Sequence, residues 1–439
     1  MFKKIAPLSS ILFLRFFGLF LVLPVMSVYA LELEGATPFL VGVVVGGYAL
    51  TQALFQVPFG MMSDKIGRKP TLLIGLVIFL VGSLICAFTD SIYALMIGRF
   101  LQGAGAIGSV ITAMISDLVS EEIRGKAMAM MGGSIALSFA FAMGLGPVLG
   151  ARYGVGTLFI ITAVLAILAM IVLFTKVPTP PVIKHTYHEK VKTSDILKDK
   201  NLFNMIVING MQKGLMTIAF VLIPIILTSN DFDWQKSDLY LAYLPAMVFG
   251  FVSMGPAVIF GEKKNRSKEI FLASIIFFIA SFLIMGLTTS STLFIVGVVL
   301  FFIAFNMMEP LVQSMISKFA KVHQKGAALG IANSVAYFST FVGGSIAGLL
   351  LSNSDRGNIG IGVAAVAAVW FLWTLRLQNP KLYSHLYMPL ESVDTNRLQN
   401  LENEHIAEWY INDTEKLIVV KYTADAISEE DLKLKIQNA

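Results

Sequence analysis

The chain is short of charge and almost devoid of cysteine, and each shortage removes a class of protein. Only 14% of its 439 residues are charged while 56% are hydrophobic; soluble proteins carry about 25% charged residues. A soluble fold of this length needs a polar shell, and there are too few polar residues here to form one. Cys86 is the single cysteine, which excludes an intrachain disulfide and a thiolate metal site. It lies in an apolar run and reads as packing. No Walker motif is present, which argues against ATP-driven work. GAGAIG at 103–108 matches G-x-G-x-x-G, but a dinucleotide site requires a preceding strand and a βαβ unit. Inside an apolar run these small residues read instead as places where helices approach closely, as do Gly344 and Gly348.

What the chain does have is long uncharged runs. Neither 39–59 nor 71–88 contains a charged residue. A window of about 19 residues gives twelve candidate membrane spans, near 8–30, 38–62, 71–89, 91–118, 127–150, 155–175, 201–228, 237–260, 269–288, 292–317, 326–350 and 358–377. Backbone groups in hydrocarbon have no water to bond, so each span is expected to be a helix. The first follows Lys3 and Lys4 without a small-residue cleavage site, so it reads as an uncleaved helix.

Lysine and arginine divide unequally between the two sets of loops. The set joined to the N-terminus holds twenty, and the opposite set three: Arg152, Lys236 and Arg356. That bias predicts both termini in the cytoplasm. It also accounts for a net charge of +5 and a pI near 9 through loops facing anionic lipid, with no nucleic acid involved.

The longest break, 176–200, carries six lysines, two histidines and three prolines, and reads as a linker between two six-helix halves. The halves echo one another. Asp64 and Arg68 are matched 198 positions later by Glu262 and Arg266, and Arg124-Gly125-Lys126-Ala127 has a weaker echo in Lys325-Gly326-Ala327. This predicts two pseudo-symmetric bundles: residues 1–176 and 201–378, joined by 177–200. Residues 379–439 are polar and hold eleven acids. An alternating run at 382–390, a helix-like stretch at 395–402, strand-like runs at 406–411 and 417–423, and a helix capped by Ser428 give the order β-α-β-β-α. That order fits a small α+β ferredoxin-like domain, one strand short of the full β-α-β-β-α-β. It has no cysteine pair, so a metal-carrier role is not expected.

Four ionisable residues fall well inside spans: Arg15, Arg99, Lys213 and Glu309. A charge at mid-bilayer costs roughly 2.5–3.5 kcal/mol on insertion scales, so each must face a cavity or a partner. Arg99 fits a helix tie through carbonyls as well as a functional role. Glu309 is the one carboxylate near mid-span, with Asn306 a turn earlier and Pro310 breaking the backbone ladder beside it. Burial shifts a carboxylate toward proton carriage and a lysine toward easier deprotonation, which makes Glu309, Lys213 and Asn306 the candidate proton and substrate cavity, with Arg15 and Arg99. Gly146, Pro147 and Gly150 in GLGPVLG predict a kinked, closely packed fifth span.

These motifs together resemble the major facilitator superfamily. Gly60-x-x-x-Asp64-Lys65-x-Gly67-Arg68-Lys69 is similar to its loop 2–3 signature, Arg99-x-x-Gln102-Gly103 to a span-four motif, and Gly146-Pro147-x-x-Gly150 to the antiporter motif of span five. Ala142 and Ala151 stand where that last motif usually has glycine, and Lys213 departs from one closely resembling member of the family, in which a histidine is expected at this position. The resemblance implies an all-α membrane fold of twelve helices, a monomeric transport unit of a bacterial inner membrane, and proton-driven export of small amphipathic molecules, with no cofactor and no enzymatic activity. It implies that the loop of Gly60, Asp64, Gly67 and Arg68, with Asp117 as partner of the arginine, latches one face of the protein. Two other readings stay open: a facilitator or importer of a polar nutrient, and a membrane sensor whose tail binds a ligand or protein.

Overall fold

The computed structural model describes residues 2–119, 121–178, 193–320, 324–380, 383–393, 406–412, 416–423 and 427–438. The first half contains α1 (Phe2–Leu21), α2 (Leu23–Ala30), α3 (Pro38–Ile66), α4 (Arg68–Ala87), α5 (Ile92–Ala104), α6 (Gly108–Leu118) and α7 (Glu121–Thr175). The short α8 (Thr193–Lys198) leads into the second half: α9 (Lys200–Leu227), α10 (Tyr240–Val258), α11 (Ser267–Leu287), α12 (Ser291–Phe319), α13 (Lys325–Asn353) and α14 (Arg356–Thr374). Thr37, Asp199 and Asp355 cap the N-termini of α3, α9 and α14, each accepting a bond from a first-turn N–H.

Among the described residues eleven apolar stretches are long enough to cross a bilayer, and one of them, Lys126–Thr175, is 50 residues long. A single crossing takes about 20 residues. Gly154, at φ 78° and ψ 161°, reverses the chain inside that stretch in a conformation open only to glycine, so it makes two spans and the total is twelve. Two expected spans are interrupted. The first bends at Val22 between α1 and α2, and the fourth opens at 105–107 between α5 and α6. Each break leaves a carbonyl without its helical donor, and both of these carbonyls reappear in the site below.

Glycine sets the distance between the halves. A Cβ on Gly42 of α3 would lie 2.1 Å from the Gly344 carbonyl of α13, and one on Gly348 would lie 2.4 Å from that of Pro38. These contacts, and the Ser27 hydroxyl donating to the Phe220 carbonyl, lie toward the end of the bundle away from the termini. At the terminus end a Cβ on Gly132, Gly133, Gly326 or Gly330 would meet nothing within 4 Å. The halves are therefore sealed at the far end and parted at the terminus end.

The tail forms a three-stranded antiparallel sheet, β1 (Tyr383–Pro389), β2 (Ile406–Asn412) and β3 (Leu417–Thr423), in the order β1-β3-β2. With β3 between them, β1 and β2 run parallel, which is the split arrangement of the ferredoxin-like fold. α15 (Glu429–Asn438) closes a separate small core of Leu386, Ile418, Val420, Leu432 and Ile436. Ser428 caps it, its hydroxyl accepting from the Asp431 N–H at 3.1 Å and donating to that carboxylate at 2.7 Å. The helix expected at 395–402 lies outside the described residues. Asn379 ties the tail to the bundle: its amide carbonyl caps α11 at the Lys268 N–H, 2.8 Å away, and its NH2 donates to Glu269.

Candidate functional site

The two halves meet in the middle of the bundle around a polar cluster. Lys213, midway along α9, reaches Glu309 of α12 and donates to both carboxylate oxygens, at 2.8 and 2.7 Å. Gln212, one residue earlier, donates to Glu309 Oε2 and to the Phe305 carbonyl, both at 3.1 Å. Side-chain exposure of 21% for Lys213 and 35% for Glu309 leaves the pair within reach of water from the open end. The Lys213 ammonium also lies 4.8 Å from the Phe305 ring centre.

Behind the pair the cavity ends in aromatic rings. Phe139 of α7 packs edge-on to Phe220 of α9 and against Phe305 of α12, with centres 6.1 and 5.9 Å apart. Phe20 of α1 and Tyr243 of α10 extend the cluster on either side. Phe139, Phe220, Phe305 and Tyr243 are buried, Phe20 is partly buried, and the rings come from both halves, so they form a dry floor between the polar pair and the sealed end.

The two span arginines differ from Lys213 in being fully enclosed. Arg15 donates to the Gly105 carbonyl at 2.9 Å, the group exposed by the break in span four, and lies over the Phe16 and Phe79 rings. Gln52 is 3.5 Å away, and Tyr337 of α13 faces Gln52 and Arg15 from the other half. Arg99 donates to Gln102 at 2.7 Å and to the carbonyls of Val44 and Val45, with its guanidinium over the Tyr48 ring; Gln102 passes the chain on to Ser83. It ties spans two, three and four together. Asn306 turns away from Glu309: its amide donates to the Phe302 carbonyl and fills the space left by Gly250. Sequence reading missed Gln52, Gln212 and Tyr337. Their one advance signal was a polar side chain inside an otherwise apolar run.

At the terminus end the signature loop forms a compact ionic knot. Gly67, at φ 99° and ψ 158°, turns the chain between α3 and α4 in a conformation closed to other residues. The turn brings Arg68 back so that Nη1 donates to Asp64, 2.5 Å away, and to the Ser63 hydroxyl, while Nε donates to Asp117 at the end of α6, 2.9 Å away. Asp117 is 5% exposed and Asp64 66%, so one arm of the fork is buried and the other faces water. Gly60 stands against Ser109. In span five a Cβ on Gly146 would lie 2.3 Å from the Leu21 carbonyl, the group freed where the first span bends. Gly150 lies beside Val25 and accepts from the Tyr29 hydroxyl at 2.8 Å, and Pro147 sits within the helix between them.

The Major Facilitator Superfamily profile matches residues 8–343 and, in an overlapping second match, 214–389. The chain is 33% identical to the inner membrane transport protein YajR of Escherichia coli over 98% of its own length and 96% of that protein. It is 26% identical to the quinolone resistance protein NorA of Staphylococcus aureus, covering 84% of this chain and 96% of that one. Among solved structures the D-xylose-proton symporter shares the fold, with a TM-score of 0.69 and 15% identity over 86% of this chain and 99% of the other. Twelve spans in two halves, the Asp64–Arg68–Asp117 knot and the family match agree: the chain belongs to the Major Facilitator Superfamily, a multi-pass membrane secondary transporter and not an enzyme.

Proposed function

We propose that this transporter exports small amphipathic molecules in exchange for protons, by alternating access. The observation that carries the reading is the Lys213–Glu309 pair, held at mid-membrane, facing the open end of a cavity whose other end is closed by aromatic rings. The lysine and arginine bias of the loops supports a cytoplasmic terminus end, which makes this conformation inward-open with residues 177–200 and 379–439 in the cytoplasm. A substrate from the cytoplasm enters against Glu309; a proton from the opposite side neutralises the same carboxylate on the return. Substrate and proton occupy Glu309 in turn, so the carrier closes around one or the other. The names of YajR and NorA, an inner membrane transport protein and a quinolone resistance protein, favour export across the inner membrane.

Arg15 and Arg99 stiffen the first half of the cavity, and Asn306 packs the wall behind it. Gly146, Pro147 and Gly150 let span five lie close against span one, where the halves must rock. Gly60, Asp64, Gly67, Arg68 and Asp117 form the latch that closes the cytoplasmic side when the cavity opens outward. The test is Glu309→Gln in proteoliposomes with an imposed proton gradient. Export is expected to lose its dependence on the gradient while protein yield and folding stay normal. Gradient-driven export at the wild-type rate removes Glu309 from the coupling.

A further inference from the structure

We propose that the Lys213 ammonium is a tethered stand-in for the transported molecule, and that Glu309, Gln212 and Phe305 form a binding site for an organic ammonium group. The inference rests on the reading of Glu309 as the exchange site and adds what occupies it. The elements of ammonium recognition are all present. Two carboxylate oxygens lie 2.8 and 2.7 Å from Nζ, and an aromatic face lies 4.8 Å away. Gln212 holds Oε2 in place from the side at 3.1 Å, and Phe139 backs the ring. A carboxylate beside an aromatic face is the arrangement that binds ammonium ligands through charge and the ring quadrupole together.

Two comparisons within the cavity point to Lys213 as the group that gives way. Arg15 and Arg99 are enclosed and bound to backbone carbonyls that cannot move. Lys213 alone of the three reaches an open cavity, on a flexible four-carbon stem able to swing its charge into water. Arg15 has two buried nitrogens, Nε and Nη1, without a hydrogen-bond partner, which raises the alternative of an anionic ligand. That guanidinium is sealed from the cavity in this state, whereas the Glu309 carboxylate is reachable. The groups facing Glu309 are Lys213 from α9 and Tyr337 from α13, with Arg15 of α1 and Tyr48 of α3 beyond Tyr337. Among the described residues Glu309 is the one acid at this depth, so a cationic substrate and the lysine compete for it.

The test uses the full-length protein in nanodiscs and three probes: 3-phenylpropylammonium, its trimethylammonium analogue and 3-phenylpropanoate. Calorimetry is expected to show Lys213→Gln binding both ammonium probes roughly tenfold or more tighter than wild type, because a tethered competitor acts at an effective concentration on the order of millimolar. Glu309→Gln is expected to lose that binding, and the carboxylate probe to gain nothing from Lys213→Gln. A measurement on the wild-type chain guards against a variant that fails to fold. Amine acetylation followed by mass spectrometry is expected to label Lys213 faster when the trimethylammonium probe is saturating, since the displaced amine leaves its ion pair. Unchanged or weaker ammonium binding by Lys213→Gln overturns the proposal. So does unchanged or slower labelling, or phenylpropanoate binding in wild type that Lys213→Gln abolishes. Proton release on probe binding is recorded separately: its absence counts against proton exchange, while the affinity gain of Lys213→Gln still decides the stand-in.

Discussion

The same loop occurs twice in this chain, between spans two and three and between spans eight and nine, and the two copies are wired differently. In the first, Arg68 forks between Asp64 and a buried Asp117. In the second, Glu262 leaves the arginine four residues on and pairs instead with Lys318 of α12. The turn is the source of the difference. Gly67 takes a conformation reserved for glycine, while Asn265, at the equivalent position, takes the ordinary left-handed one at φ 52°. In the second copy the chain widens into a π-turn over Ile259–Lys263, which carries Glu262 round toward α12. Asn265 then donates its amide to the Pro380 carbonyl, on the way into the tail. A pseudo-repeat has thus kept the position of its charges and exchanged their partners.

The asymmetry can be broken from either side. The largest effect is expected for Asp117→Asn, which leaves Arg68 largely enclosed beside a neutral group. Thermal unfolding in detergent is expected to show a loss of about 3 kcal/mol, the low end for a broken buried pair, together with slow transport. A variant as stable as wild type would make the buried arm dispensable. Asp64→Asn comes next. Its exposed arm is worth about 0.5 kcal/mol or less, so insertion and stability stay normal while export per folded molecule falls in proteoliposomes. Turnover at the wild-type rate returns the loop to a topology signal. Glu262→Gln is expected to do least, since its pair is half-open to water and lacks the arginine fork. Its export rate should stay near wild type, and a fall equal to that of Asp64→Asn would make the two copies equivalent gates.

Much of the architecture was legible beforehand because lipid imposes a simple rule. Uncharged runs about as long as a bilayer is thick must be helices, and only their ends admit charge. The strands at 406–411 and 417–423 and the Ser428 cap were equally readable, from alternation and from the acids that follow the serine. The breaks at Val22 and 105–107 were not, because a helix interrupted inside protein leaves the hydropathy of its sequence unchanged. The same limit applies to Asn306. Its spacing put it on the face of Glu309, but the neighbouring Gly250 opened a nearer place for its amide.

The sequence by itself determined the solvent, the number of crossings, the duplicated plan and the scarcity of charge that singles out Arg15, Arg99, Lys213 and Glu309. These follow from composition and spacing along one chain. The tertiary structure decided which of those four are enclosed and which is exposed, and that Lys213 holds the one mid-membrane acid. It also decided which end of the bundle is parted. Those outcomes depend on how closely helices far apart in sequence approach, and glycine-to-carbonyl contacts such as Gly42 with Gly344 set that distance only once the halves are packed together.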